Sequence, residues 1–195
     1  MREFPDKQAV DQCRRCDLWK HATQGVPGSG SRDAPLLLVG EQPGDQEDLA
    51  GKPFVGPAGR LLDELLAEAG IAAGRYYVTN AVKHFSFEPR GKRRIHKTPA
   101  QREIAACRAW LEDEIAAIKP RAIVALGATA VRALLGGRMT LAAAQAAALK
   151  HASGIPIIAT FHPSALLRER DEPRRSAMRA TVIAALEHAA GLAGR

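Results

Sequence analysis

Four polar side chains stand where short apolar runs end. Glu41 and Gln42 follow "PLLLVG" (35–40), Asn80 closes "YYVTN" (76–80), and His162 lies just past "IPIIAT" (155–160). An asparagine amide offers a donor and an acceptor side by side, which suits the N3–H and O4 edge of uracil or thymine; a turn or capping asparagine is the competing reading. A histidine before Pro163 can donate to an oxygen that gains negative charge, or simply bond the turn it sits in. Phe54 lies among glycines and prolines outside any periodic core segment, where it can stack on a base or merely pack. Its loop, "VGEQPGDQEDLAGKPFVGPAG", carries Gly40, Gly44, Gly51, Gly56 and Gly59 with three prolines. Glycine lets backbone approach a ligand closely and proline stiffens the cavity. The loop is neither GxGxxG nor a Walker sequence, which disfavours dinucleotides and triphosphates.

A fifth candidate, His96, sits in "GKRRIHKTP" (91–99) with Lys92, Arg93, Arg94 and Lys97. The chain has a formal charge of +7, and residues 83–97 hold six Lys or Arg against Glu88 alone, a net of +5. Charge gathered into one loop marks a contact site for a polyanion rather than a solubility device.

Three cysteines remain. Cys13 and Cys16 form "CRRC", and Cys107 lies on an apolar helical stripe. An odd number argues against a disulfide framework. A complete metal site needs a fourth ligand, and His84, just past Asn80, is the best placed; zinc and iron–sulfur both fit the ligand count.

The elements that must position these residues alternate. "PLLLVG", "YYVTN", "AIVALG" (122–127) and "IPIIAT" read as strands covered on both faces. Helical patterns begin at Pro57, at Thr98 with Gln101 as a capping box, at "GATAVRALLG", and over 173–190. Residues 140–153 have helical propensity yet lead straight into a strand. The expected fold is three-layer α/β/α around a mainly parallel, four-stranded sheet, in one domain spanning 1–195. Ligands then bind beyond the carboxyl ends of the strands, where the candidate residues already cluster. No apolar run suits a bilayer span and the N-terminus lacks an apolar signal region, so a cytoplasmic, membrane-free protein is expected.

Taken in order, "GEQPGDQEDLAGKPFVGPAGRLLDELL", "YYVTNAVKH", "KRRIH" and "HPSALLR" resemble the uracil-DNA glycosylase superfamily over roughly residues 13–185. The broad likeness is to family 4, the iron–sulfur branch. The nearer one is to the X-type enzymes (UdgX), which carry "KRRIH". The resemblance implies a [4Fe–4S] cluster held by Cys13, Cys16, His84 and Cys107. It implies that Phe54 stacks on a flipped uracil, Asn80 reads it, His162 contacts its O2, and Glu41 and Gln42 face the sugar. Gly40, Gly44 and Asp45 complete that pocket, and Arg168 holds nearby backbone. Lys92, Arg93, Arg94 and Lys97 would grip DNA while His96 attacks C1′ and stays bonded to it. The implied partner is uracil-containing DNA, single-stranded first, met by a monomer. Two competing readings stay open: a turning-over glycosylase in which His96 touches phosphate, and a non-catalytic, metal-stabilised nucleic-acid-binding module.

Overall fold

A computed structural model describes residues 5–137 and 139–194. The strands are β1 (Ser29–Gly30), β2 (Leu36–Gly40), β3 (Tyr76–Asn80), β4 (Phe87–Arg90), β5 (Arg93–His96), β6 (Ala122–Leu126), β7 (Leu149–Lys150) and β8 (Pro156–Thr160). The helices are α1 (Lys7–Asp11), α2 (Asp45–Ala50), α3 (Pro57–Glu68), α4 (Gln101–Ile118), α5 (Ala128–Leu135), α6 (Leu141–Gln145), α7 (Pro163–Arg168) and α8 (Glu172–Leu192), with a 3-10 turn at Asp17–Lys20.

The four apolar runs form the parallel core β3-β2-β6-β8, as their unbroken apolar character requires. The sheet nevertheless has six strands, in the order β1-β3-β2-β6-β8-β7, because an antiparallel two-residue strand closes each edge. Two residues are too few to show a hydrophobic period. Leu37, Val39, Ile123 and Ala125 face a core shared with α4 and α5; Leu36, Leu38, Val124 and Leu126 face one shared with α3 and α8. The stripe Ile104–Cys107–Leu111–Ile115–Ile118 of α4 is buried throughout.

Two local expectations change. The α4 N-cap is Ala100 rather than Thr98, and the Glu103 carboxylate accepts its backbone N–H at 2.6 Å. Glu103 stands three residues beyond the true cap, so it can reach back where Gln101 cannot. Residues 140–153 are not one helix. Thr140 caps a single turn, α6, and the chain then turns through β7 to pair with β8. Sheet pairing overrides the alanine-rich propensity there.

The basic run is a second, two-stranded sheet, β4–β5, not an open loop. Gly91, at φ +59°, opens its two-residue turn. His96 lies at the base of this hairpin, paired with Phe87.

Candidate functional site

From β2 the chain runs out to β3 on one side, and it later returns to β6 on the other. Strand order therefore reverses at β2, and a crevice of about 820 Å³ opens beyond the carboxyl ends there. Glu41 follows β2 and Thr129 stands in the first turn of α5, after β6. The Thr129 hydroxyl donates to Glu41 Oε2 at 2.5 Å, bridging the reversal.

Glu41 is the hub. Its other oxygen, Oε1, lies 3.2 Å from His96 Nε2. Burial alone would raise its carboxyl, but the hydrogen bonds from His96 and Thr129 outweigh it and the group sits below the ordinary glutamate range. An ionised carboxylate is thus held in the crevice floor.

Phe54 and Asn80 close the far end. A methyl built on Gly40 would lie 2.4 Å from Asn80 Oδ1 and 2.6 Å from Phe54 Cζ, so both side chains converge on the space a side chain there would take. Phe54 has φ +55°, a left-handed conformation that a bulky residue adopts only when its surroundings impose it. Those surroundings are visible. Glu47, buried in α2, accepts the N–H groups of Gly44 at 3.0 Å and Gly56 at 2.7 Å, pinning the loop on both sides of Phe54.

His162 caps α7. Its Nδ1 accepts the Ser164 backbone N–H at 3.1 Å, which leaves the ring proton on Nε2. Burial depresses its pKa to about 4, so the ring is neutral near pH 7. Its plane lies 27° from that of Phe54, centroids 6.1 Å apart.

Glu41, Phe54, Asn80, His96 and His162 all line this crevice, with Gln42, Gly44, Asp45 and Arg168. Three of these have further duties. The Gln42 amide donates to the carbonyls of Ser86 and Lys97 and accepts the Ser86 N–H, so it clamps the neck of the hairpin. Asp45 accepts from Arg94 Nε at 2.6 Å. Arg168 donates to Ser164 Oγ at the lip of the crevice. Arg94 also pairs with the buried Asp48, so its charge tethers the hairpin to α2. Lys97 pairs with exposed Glu88, while Lys92 and Arg93 extend at the hairpin tip.

Several participants escaped the sequence reading. Thr129 lay in "GATAVRALLG", read as a helix, and a hydroxyl two residues past the glycine that closes "AIVALG" was its signal. Glu47 and Asp48 look like ordinary helix-surface acids in "GDQED". A fully buried Lys83–Glu114 pair, at 2.7 Å, carries no local sequence signal. Lys83 Nζ also bonds the Thr79 hydroxyl and the Asn80 carbonyl, while Glu114 accepts the Thr79 hydroxyl and the Gly28 N–H. This network braces the backbone from which Asn80 projects.

A second cluster lies on the other side of Lys83. Its backbone N–H donates to Cys107 Sγ at 3.3 Å, and Trp110 Nε1 donates to Cys13 Sγ at 3.3 Å. Burial above all, with smaller contributions from Cys16 and Cys13, raises the Cys107 thiol to about 11 against the lowering effect of the Lys83 N–H and ammonium. His84, the next residue along, is buried. Closely spaced thiols that receive N–H···S bonds suit a thiolate-bound cluster. Among the described residues no three His, Cys, Asp or Glu converge as ligands of a single ion must. Cys13, Cys16, His84 and Cys107 are the residues that would hold such a cluster, which would serve as a structural cross-link.

The parallel sheet and the crevice at its reversal define a ligand-binding type of α/β domain. Residues 27–187 match the uracil DNA glycosylase superfamily. The chain belongs to that superfamily, a family of enzymes. It is 40% identical over 169 residues to the type-4 uracil-DNA glycosylase of Thermotoga maritima, covering 86% of this chain and 84% of that protein. The type-4 enzyme of Pyrobaculum aerophilum is 36% identical over 173 residues, covering 83% of each. The type-5 uracil-DNA glycosylase of that organism is 31% identical over 180 residues, covering 82% and 74%. Among the described residues no helix is long and apolar enough to cross a membrane.

Proposed function

We propose that this chain hydrolyses the N-glycosidic bond of deoxyuridine in DNA, as its type-4 relatives are named for doing. The carrying observation is that Phe54, Asn80, His162 and Glu41 share one crevice at the sheet reversal. Extruding a base costs a few kcal/mol, which stacking on Phe54 and hydrogen bonds to Asn80 offset. Bond cleavage leaves negative charge on uracil and positive charge on the sugar. A neutral His162 donates from Nε2 to uracil O2, and the Glu41 carboxylate faces the sugar cation. Water attacking C1′ completes the reaction. Free uracil released from a uracil-containing single strand, abolished by Asn80→Ala, tests this reading.

One observation favours a finer reading. His96 Nε2 already lies 3.2 Å from Glu41, so the hairpin holds an imidazole beside the carboxylate that faces the sugar. In this reading one ring nitrogen of His96 bonds C1′ in place of water, and the proton on the other passes to Glu41. Uracil leaves with the bonding pair, and the protein stays joined to the abasic site. Denaturing electrophoresis after incubation with the same strand separates the readings: hydrolysis leaves no heat-stable protein–DNA band.

Cys13, Cys16, His84 and Cys107 are proposed to hold a [4Fe–4S] cluster. When bound it supplies a structural cross-link between the N-terminal segment, α4 and the β3 end, and an imidazole ligand raises its potential. About four irons per purified chain, reduced in Cys107→Ala, is the expected analysis.

A further inference from the structure

The crevice is larger than one pyrimidine fills, and one wing of it extends along α5 to Leu141. Arg132 lies there, one turn beyond Thr129 and therefore on the same face of α5. Its Nε is buried without a hydrogen-bond partner, and among the described residues no carboxylate pairs with its guanidinium. An unpaired buried donor is costly unless something arrives to satisfy it.

The acids of the crevice are otherwise committed. Glu41 serves His96 and Thr129, Asp45 serves Arg94, and Glu47 holds two glycine N–H groups. Arg132 is thus a half-exposed cation lining the crevice with no carboxylate partner among the described residues. On α6, which packs against α5, the Gln145 side-chain nitrogen is likewise buried and unpartnered, one turn past the crevice-lining Leu141.

We propose that Arg132 is a phosphate subsite, taking a backbone phosphate next to the extruded nucleotide. The inference rests on the glycosylase reading, since that reading places the extruded base at the Phe54 end and the sugar at Glu41, whose Oε2 bonds Thr129 one turn before Arg132. The planar guanidinium presents its N–H groups as a fork that matches two phosphate oxygens.

Binding tests this without catalysis. The probe is a single strand carrying a tetrahydrofuran abasic analogue, which has no glycosidic bond, read by fluorescence anisotropy over a salt series. Arg132→Gln is expected to raise Kd about tenfold, a loss on the scale of one charged hydrogen-bond contact. It is also expected to reduce the slope of log Kd against log salt by about 0.7, the value for one phosphate on a single strand. Arg132→Lys restores the slope. Replacing the flanking phosphates singly by neutral methylphosphonates locates the contact: one replacement weakens the wild type about tenfold and leaves Arg132→Gln unchanged. A Kd within twofold of wild type at unchanged slope, or losses that add at every phosphate, overturns the proposal. Uracil release is measured separately, so a chain that binds this probe through Arg132 yet frees no uracil refutes the glycosylase reading alone.

Discussion

Thr129 and His96 approach the same carboxylate from opposite sides: the hydroxyl takes Glu41 Oε2 at 2.5 Å and the imidazole faces Oε1 at 3.2 Å. One residue comes from the helix after β6, the other from the base of the β4–β5 hairpin. Glu41 is therefore fixed in orientation and in charge before any substrate enters. The hairpin is fixed in turn by Gln42 at its neck and by Arg94 on Asp45 and Asp48.

In the covalent reading His96→Ser converts the reaction from one turnover to many, whereas in the hydrolytic reading the wild type already turns over and the variant still does. The serine side chain is too short to reach Glu41, so water takes the place of the ring at C1′. Quantified uracil should then exceed the enzyme concentration, and no heat-stable band should form. A variant that frees no uracil at all assigns His96 to bond breaking instead.

Gly40→Ala should distort the Phe54–Asn80 end of the crevice. Its methyl would press on Asn80 Oδ1 and the Phe54 ring at 2.4 and 2.6 Å, and both must shift. A displacement on that scale costs about 100-fold in kcat/KM. Thermal melting should fall by only a few degrees, since both obstacles are side-chain ends and the backbone can stay in place. Steady-state kinetics alongside melting curves check both halves.

Lys83→Met should cost about 3–5 kcal/mol, because it leaves the Glu114 carboxylate buried without its cation. For a chain of this size that lowers Tm by roughly 6–20 °C. Lys83→Met with Glu114→Leu should recover most of the loss, since removing both charges abolishes the uncompensated one. Calorimetry of the single and double variants gives the comparison.

The pH dependence follows from His162. Burial holds its folded pKa at about 4, while in the unfolded chain it titrates near 6.5. Between those values the unfolded state binds the extra proton, so stability falls as pH drops from about 6.5 toward 4 and is unaffected by this group above that window. His162→Gln, which cannot titrate, should flatten that part of the wild-type curve. Denaturant melts at intervals across the window measure the difference.

The parallel core was legible because continuous apolar runs have one reading when both faces are covered. The crevice residues were legible because strand ends are where such sheets bind ligands. What stayed hidden has a common cause. Lys83 and Glu114 are 31 positions apart and meet only through the packing of α4 on the sheet. Arg94 looks like a phosphate ligand until Asp48, an apparent surface acid, turns out to be buried beneath it. The hairpin hid because its strands are charged, as exposed edges commonly are, so no apolar alternation announced them. Pairings between distant charged residues leave no trace in local composition.

The central claim is uracil excision, and the amount of free uracil tests it most directly. A single-stranded oligonucleotide with one deoxyuridine is incubated with the protein, its thymidine twin serves as control, and released base is quantified by mass spectrometry. At least one uracil per protein molecule, with no thymine from the twin, is the predicted result. Absence of uracil, or equal release of both bases, contradicts the account.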